Sequence, residues 1–134
     1  MKKRFLAIGV LALLLVFSCS KSNRNNRLIQ GDWELRKAVG GFAGTQEFAP
    51  GNGNRIAFIS ATAFTRQWGN TSVTGTYELQ PSAQTANYLL TLHYMQDGNR
   101  IDRSDSVRFD KSQLIFLPTE TCCDIPTTYY ERID

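Results

Sequence analysis

The feature that most constrains the fold is a repeated alternation of apolar and polar residues in short runs. From Gly31 onward, eight such runs are separated by turn signals every eight to fifteen residues, and none has the 3.6-residue period of an amphipathic helix. We expect each run to be a β-strand. Eight consecutive strands without an intervening helix predict an all-β antiparallel meander, and eight strands are enough for a meander to close into a barrel.

The alternation also predicts which residues face the interior. The first strand directs Trp33, Leu35 and Val39 to one face. The fourth strand places Gly75 among its inward residues, where a missing side chain lets a small barrel bend or a neighbour approach. Asp97-Gly98 has the composition of a tight hairpin turn. The predicted strands are Gly31–Val39, Arg55–Ile59, Thr62–Trp68, Ser72–Leu79, Asn87–Met95, Arg100 or Ile101 to Phe109, Gln113–Leu117 and Thr127–Ile133.

Closure of the meander makes a specific prediction about its two ends. In a closed up-and-down barrel, the first and eighth strands are antiparallel neighbours, so the start of one lies beside the end of the other. Trp33 and Arg132 should therefore meet, with the guanidinium over the indole. The two long connections, Gly40–Asn54 and Pro118–Pro126, should both fall at the opposite end and form a mouth.

Residues 1–18 have the pattern of an export signal. Three basic residues, Lys2–Arg4, precede an uninterrupted apolar run of thirteen residues, Phe5–Phe17, which is shorter than the roughly 20 residues of a membrane-spanning helix. The run ends at Val16-Phe17-Ser18-Cys19, which resembles the lipoprotein signal of bacteria. That resemblance implies that Cys19 carries lipid and becomes the first residue of the mature protein. A cleaved secretory signal with a chance cysteine is the alternative.

The remaining chain divides into a polar tether, residues 19–27, and a single domain, residues 28–134. Extended at about 3.5 Å per residue, the seven residues from Lys21 to Arg27 would span about 25 Å. The whole chain has 15 Lys and Arg against 12 Asp and Glu, but three of the bases lie in the signal, which leaves 12 against 12. A balanced charge gives no reason to expect a nucleic-acid partner.

Three short segments resemble the small lipocalin-like lipoproteins of Gram-negative bacteria: Gly31-Asp32-Trp33, Gly75-Thr76-Tyr77-Glu78-Leu79 and Tyr129-Tyr130-Glu131-Arg132-Ile133. Gly31 and Trp33 match the glycine and tryptophan of the wider lipocalin pattern, and Arg132 matches its late-strand arginine. The resemblance covers residues 28–134 and implies a β-barrel on a lipid anchor. It also implies a location in the bacterial cell envelope, with the outer membrane expected.

The residues that could perform chemistry are few. His93 is the sole histidine, and the alternation of its strand places it on the outward face. No partner for metal binding or general-base catalysis is apparent there, so we expect a surface histidine. Cys122 and Cys123 are adjacent, and in an oxidising compartment they could form a vicinal disulfide or remain free thiols. We expect no metal, no cofactor and no enzymatic activity.

Three charged residues share the parity of apolar neighbours on their strands: Arg66, Arg103 and Asp105. An interior arginine could hold an acidic ligand, but a buried charge needs partners. We therefore expect these side chains to be hydrated at the strand ends, or turned outward by a β-bulge. Of Tyr129 and Tyr130, which point to opposite faces, one must lie inside.

Two functions remain open. The first is the binding of a small apolar or amphipathic molecule at the mouth, with Phe42, Phe48, Phe64, Arg66, Trp68, Ile125 and Tyr130 as candidate contacts. The alternative is a structural lipoprotein whose barrel is filled by its own side chains and whose loops meet another envelope protein. A continuous interior cavity of about 300 Å³ or more would favour the first, and a packed core would favour the second.

Overall fold

The computed structural model describes residues 26–118 and 124–134. These ranges contain a helical turn at residues 26–29 and nine strands: β1 (Gly31–Val39), β2 (Thr45–Glu47), β3 (Arg55–Phe58), β4 (Ala63–Trp68), β5 (Thr71–Pro81), β6 (Tyr88–Gln96), β7 (Asn99–Asp110), β8 (Gln113–Leu117) and β9 (Thr127–Arg132). Across the two ranges, no helix has the length and apolar character needed to cross a membrane.

The strands form one antiparallel sheet that closes on itself. Each strand from β3 to β8 pairs with the next along the chain, and β1 pairs with both β3 and β9. Closure removes the open edges of eight strands. The three-residue β2 pairs with the last residues of β1, on the same edge of β1 that pairs with β3. The predicted eight-stranded antiparallel barrel is confirmed, and Trp33 lies directly opposite Arg132 in the closing ladder.

The period-two alternation is clearest on β5, where every second side chain is buried. Val73, Tyr77 and Leu79 are buried and the residues between them are exposed, apart from Gly75 on the inner face. A Cβ on Gly75 would lie 2.0 Å from the carbonyl oxygen of His93 on β6. The predicted close approach at this glycine is therefore confirmed.

A β-bulge on β1 changes which residues of that strand face the core. Leu35 pairs with Tyr130 and Lys37 pairs with Tyr129, so Arg36 is an extra residue on β1. Beyond the bulge the alternation shifts by one residue. Ala38 is consequently buried, whereas Val39 is only partly buried, and the predicted inward position of Val39 is wrong.

The first long connection is held against β1 at this bulge. Strand β3 pairs with one edge of β1 up to Glu34 and β2 pairs with the same edge from Lys37, which leaves Leu35 and Arg36 without a strand partner on that edge. The amide of Phe48 donates to the carbonyl of Arg36 at 2.8 Å, and the side chain of Asn52 donates to the carbonyl of Leu35 at 2.8 Å. The loop thus satisfies hydrogen-bonding groups that the bulge would otherwise expose.

Glu34 is buried on the outer side of β1 beneath the same loop, with only 3 % of its surface exposed. Its carboxylate forms an ion pair with Arg36 and accepts hydrogen bonds of 3.1 Å from the backbone amide of Gly51. Burial alone would raise the pKa of Glu34, but the amides of Gly51 and Gly53 together with Arg36 hold this pKa below its usual value. The carboxylate therefore anchors the loop in its charged form.

The end of the barrel where β1 begins and β9 ends is called here the closed end. The indole of Trp33 donates to the carbonyl of Ile29 at 2.7 Å, and Ile29, in the helical turn, is fully buried. Arg132 covers the ring with its guanidinium carbon 4.6 Å from the centroid and donates to the carbonyl of Leu28. The predicted contact between Trp33 and Arg132 is present, and the helical turn, which residue patterns did not indicate, completes the cover.

Candidate ligand site at the barrel mouth

The opposite end, here called the mouth, holds a cavity of about 210 Å³. It lies among β4, β7, the end of β8, the start of β9 and the two residues Ile125 and Pro126 that precede β9. Its lining combines two guanidinium groups and one carboxylate with apolar and hydroxyl-bearing side chains: Arg66, Arg103, Asp105, Phe116, Leu117, Ile125, Pro126, Thr128 and Tyr130.

Arg103 and Asp105 reach this cavity because β7 keeps its alternation. Arg103 pairs with Leu92 and Asp105 with Leu90, and both leucines are fully buried in the core. The β6–β7 ladder runs without a register shift. The expectation of an outward-turning bulge is therefore wrong for this pair, although the side chain of Arg103 stays 46 % exposed at the wet mouth.

The two charges form a bidentate ion pair within the cavity. Arg103 donates to the two carboxylate oxygens of Asp105 at 2.8 and 3.1 Å, and only 13 % of the Asp105 side chain is exposed. Burial would lower the pKa of Arg103, but its hydrogen bonds to Asp105 and the charge of that carboxylate raise this pKa above its ordinary value. Arg103 consequently keeps its charge in the cavity.

Arg66 reaches the cavity from the opposite wall. It lies between Ile56 on β3 and Val73 on β5, which are both buried, so its side chain also has inward parity without a bulge. Its guanidinium carbon is 5.5 Å from the centroid of the Trp68 ring, which follows two residues later on the same strand. Among the described residues, no carboxylate forms an ion pair with Arg66.

The other predicted contact residues are not all at this cavity. Tyr130 and Ile125 line it, and Tyr130 is the member of the tyrosine pair that lies inside. Phe64 is fully buried in the core below, against Phe58 and Tyr94.

Both phenylalanines of the first long connection lie away from the cavity lining. Phe42 is 96 % exposed and borders a separate cleft of about 240 Å³ between the Gly40–Gly44 turn and Pro126. Phe48 is half-buried where the loop pairs with β1. A ligand in the mouth cavity would therefore not touch either ring directly.

Sequence reasoning missed several lining residues on β8 and β9. Phe116 lies 5.3 Å from the ring of Tyr130, centroid to centroid, and Thr128 pairs with Phe116 across the ladder. A signal for them existed, because Leu114, Phe116, Thr128 and Tyr130 follow the same period-two alternation that identified the strands.

The remaining candidate residues are separate from this cavity. His93 lies on the outer face, with Nδ1 2.6 Å from the carboxylate of Asp102. The described residues contain no group of three or more side chains suited to hold a metal ion. The predicted lipidation site, Cys19, and the adjacent Cys122 and Cys123 lie outside the described residues.

The geometry defines a class of protein, a closed eight-stranded antiparallel β-barrel with a packed interior and a charged cavity at one end. No protein-family model, curated protein or solved structure matches this chain.

Proposed function

We propose that this protein is a lipid-anchored, lipocalin-like barrel of the bacterial envelope that binds a small amphipathic molecule at its mouth. The observation that carries the proposal is the composition of the mouth cavity. Arg66 and Arg103 approach it from opposite walls, while Phe116, Ile125 and Tyr130 supply apolar surface beside them. Binding sites for small molecules combine these properties, a mostly apolar lining with a few convergent polar groups.

The cavity limits the size of the ligand. Its 210 Å³ does not reach the interior of about 300 Å³ that would favour an enclosed ligand, and it corresponds to the liquid volume of about seven water molecules. Below it, the interior is filled by a core that includes Phe64, Leu90 and Leu92. The ligand is therefore a small molecule, or a longer one whose end enters the cavity while its remainder lies along Leu117 and Ile125 at the rim.

Retention of a ligand from a natural mixture tests this function. The exported, purified protein is incubated with a lipid extract from a Gram-negative envelope, and native mass spectrometry records any retained small molecule. We expect a retained species that is lost when Tyr130 is replaced by Trp to fill the cavity, but kept when the exposed Thr76 on β5 is replaced by Ala. Absence of any retained species across several extracts would refute the binding function.

The proposed anchor rests on the Val16-Phe17-Ser18-Cys19 pattern and on the position of the domain's first described residues. The helical turn at residues 26–29 covers the closed end, so a tether from Cys19 would hold that end toward the membrane and leave the mouth directed away from it. Growth of expressing cells with an alkyne-labelled palmitate should label the wild-type protein and leave Cys19→Ala unlabelled. Labelling of both proteins would show that Cys19 is not the site of lipid attachment.

The alternative of an interaction protein is favoured by one observation, the packed interior. Among the described residues, one cluster of fourteen buried side chains forms the core, including four aromatic side chains at and above the closed end: Trp33, Phe58, Phe64 and Tyr77. In this case the loops at the mouth would contact another envelope protein. Crosslinking in intact cells that yields one defined protein adduct at exposed Phe42, together with no retained small molecule, would favour this alternative.

A further inference from the structure

We infer that the ligand carries an anionic group, a carboxylate or a phosphate, which binds at Arg66 with its apolar portion directed to the rim; this rests on the ligand-binding function proposed above. The inference begins with the charges of the mouth cavity. Among the described residues, two guanidinium groups and one carboxylate line it, which is an excess of one positive charge.

The carboxylate is already occupied by one of the two arginines. Asp105 accepts both of its hydrogen bonds from Arg103 in a bidentate arrangement. Among the described residues, the guanidinium of Arg66 contacts the aromatic face of Trp68 and forms no ion pair. A contact with an aromatic face leaves the in-plane N–H donors of the guanidinium unused. Arg66 is thus the group that can accept a new anion without breaking an existing pair.

Guanidinium chemistry determines what such a group prefers. Its planar donors match the two oxygens of a carboxylate or a phosphate, and charge-assisted hydrogen bonds of this kind are stronger than neutral ones. The hydroxyl groups of Thr128 and Tyr130 line the same cavity and can donate to further oxygens of the anion. Apolar surface from Leu117 and Ile125 lies at the outer side, where a hydrocarbon tail would be sheltered.

A pair of probes with matched hydrocarbon chains, one with an anionic head group and one with a neutral head group, tests the inference. Octanoate and 1-octanol have the same chain length, and each is titrated into the ¹⁵N-labelled protein with amide chemical shifts as the readout. Because charge-assisted hydrogen bonds stabilise by about 1.5–3 kcal/mol, we expect octanoate to bind about ten- to hundredfold more tightly than 1-octanol. Octyl phosphate is added as a third probe to distinguish a carboxylate ligand from a phosphate ligand.

Variants assign the effect to one side chain. Arg66→Gln should reduce the octanoate affinity to that of 1-octanol, whereas Arg108→Gln, an exposed arginine on the outer face of β7, should leave it unchanged. The amide spectrum of each variant verifies that the barrel is folded. Arg66→Lys keeps the charge but not the paired donors, so it should retain only part of the preference for octanoate. It is the variant to use if Arg66→Gln does not fold.

The outcomes separate the two proposals. Equal binding of octanoate and 1-octanol to the wild-type protein would overturn the anionic ligand and leave the binding function intact. Binding of none of the three probes, together with no retained species from lipid extracts, would overturn both. A preference for octanoate that is undiminished in Arg66→Gln, or in Arg66→Lys where Arg66→Gln does not fold, would place the anion elsewhere and refute the role of Arg66.

Discussion

Replacement of Gly75 by alanine should destabilise the barrel although alanine ordinarily favours folding. The new Cβ would lie 2.0 Å from the carbonyl oxygen of His93 and 2.9 Å from the Cβ of Tyr94. Because the carbonyl belongs to the backbone of β6, relief of the contact requires the two paired strands to separate. Overpacking of this kind costs about 1–3 kcal/mol.

A loss of stability in Gly75→Ala would be informative because replacement of glycine by alanine generally stabilises a folded protein. Gly75 does not have a positive φ, so alanine introduces no backbone strain and should stabilise by about 0.4–1 kcal/mol through the unfolded chain. The contact with His93 should outweigh this gain, which leaves a net loss of about 1.3 kcal/mol at the midpoints of the two ranges and of about 2.6 kcal/mol at most. For a domain of about 100 residues, each kcal/mol lowers Tm by about 4–8 °C.

Urea unfolding of the wild-type protein and Gly75→Ala measures this loss. The midpoint should decrease without a change in the m-value, since the surface exposed on unfolding is the same. Thr76→Ala, on the exposed face of the same strand, is the matched control and should change the free energy of unfolding by no more than about 0.5 kcal/mol. A Gly75→Ala protein as stable as the wild type, or more stable, would refute the close approach of β5 and β6.

Three further predictions concern the closed end, the anchored loop and a buried phenol. Arg132→Ala should lower the free energy of unfolding by about 0.5–2 kcal/mol, through loss of the contact with Trp33 and its backbone hydrogen bond. Because folding lowers the pKa of Glu34, the stability that this carboxylate contributes should be fully present above pH 4.5, the ordinary pKa of the group, and should be lost as the pH falls through the pKa of the folded state. Denaturation at a series of pH values, with Glu34→Gln as reference, measures this loss. Burial raises the pKa of Tyr77 from 10.0 to about 12, so the stability that the neutral phenol contributes should be fully present below pH 10 and should be lost as the pH rises toward 12. Absorbance at 295 nm should show one phenol that ionises at higher pH than the others, and this step should be absent in Tyr77→Phe.

Each of these predictions has a result that contradicts it. An Arg132→Ala midpoint equal to that of the wild type would mean that the cation over Trp33 does not support closure. Identical acid profiles for the wild type and Glu34→Gln would exclude the carboxylate as the anchor of the loop. A Tyr77→Phe titration that retains the late phenolate would assign the raised pKa to another tyrosine.

Where strands are long and alternate strictly, the sequence was sufficient to predict the fold. The apolar and polar positions of β5 alternate strictly, so the face of each of its residues followed directly from the sequence. The closing pair was also predictable, because antiparallel geometry determines that the start of the first strand meets the end of the last. Trp33 and Arg132 therefore follow from topology.

Features that depend on one residue or on local hydrogen bonds could not be predicted. The bulge at Arg36 leaves no mark on the composition of β1, yet it exchanges the roles of Ala38 and Val39. All three residues of β2 are exposed, so the strand has no apolar alternation, and only its pairing with β1 defines it. The helical turn at residues 26–29 buries Ile29 alone, which is too little to produce a helical period.

The charges at the mouth show why parity and burial must be considered separately. Parity correctly placed Arg66, Arg103 and Asp105 on inner faces, and the cost of burying a charge was the reason to expect them outside. That cost is small here because Arg103 remains partly hydrated and its carboxylate partner lies two residues away on the same strand, where both side chains share a face. Arg66 has no such carboxylate among the described residues, so its inward position is stabilised least by the protein itself and would gain most from an anion that enters the cavity.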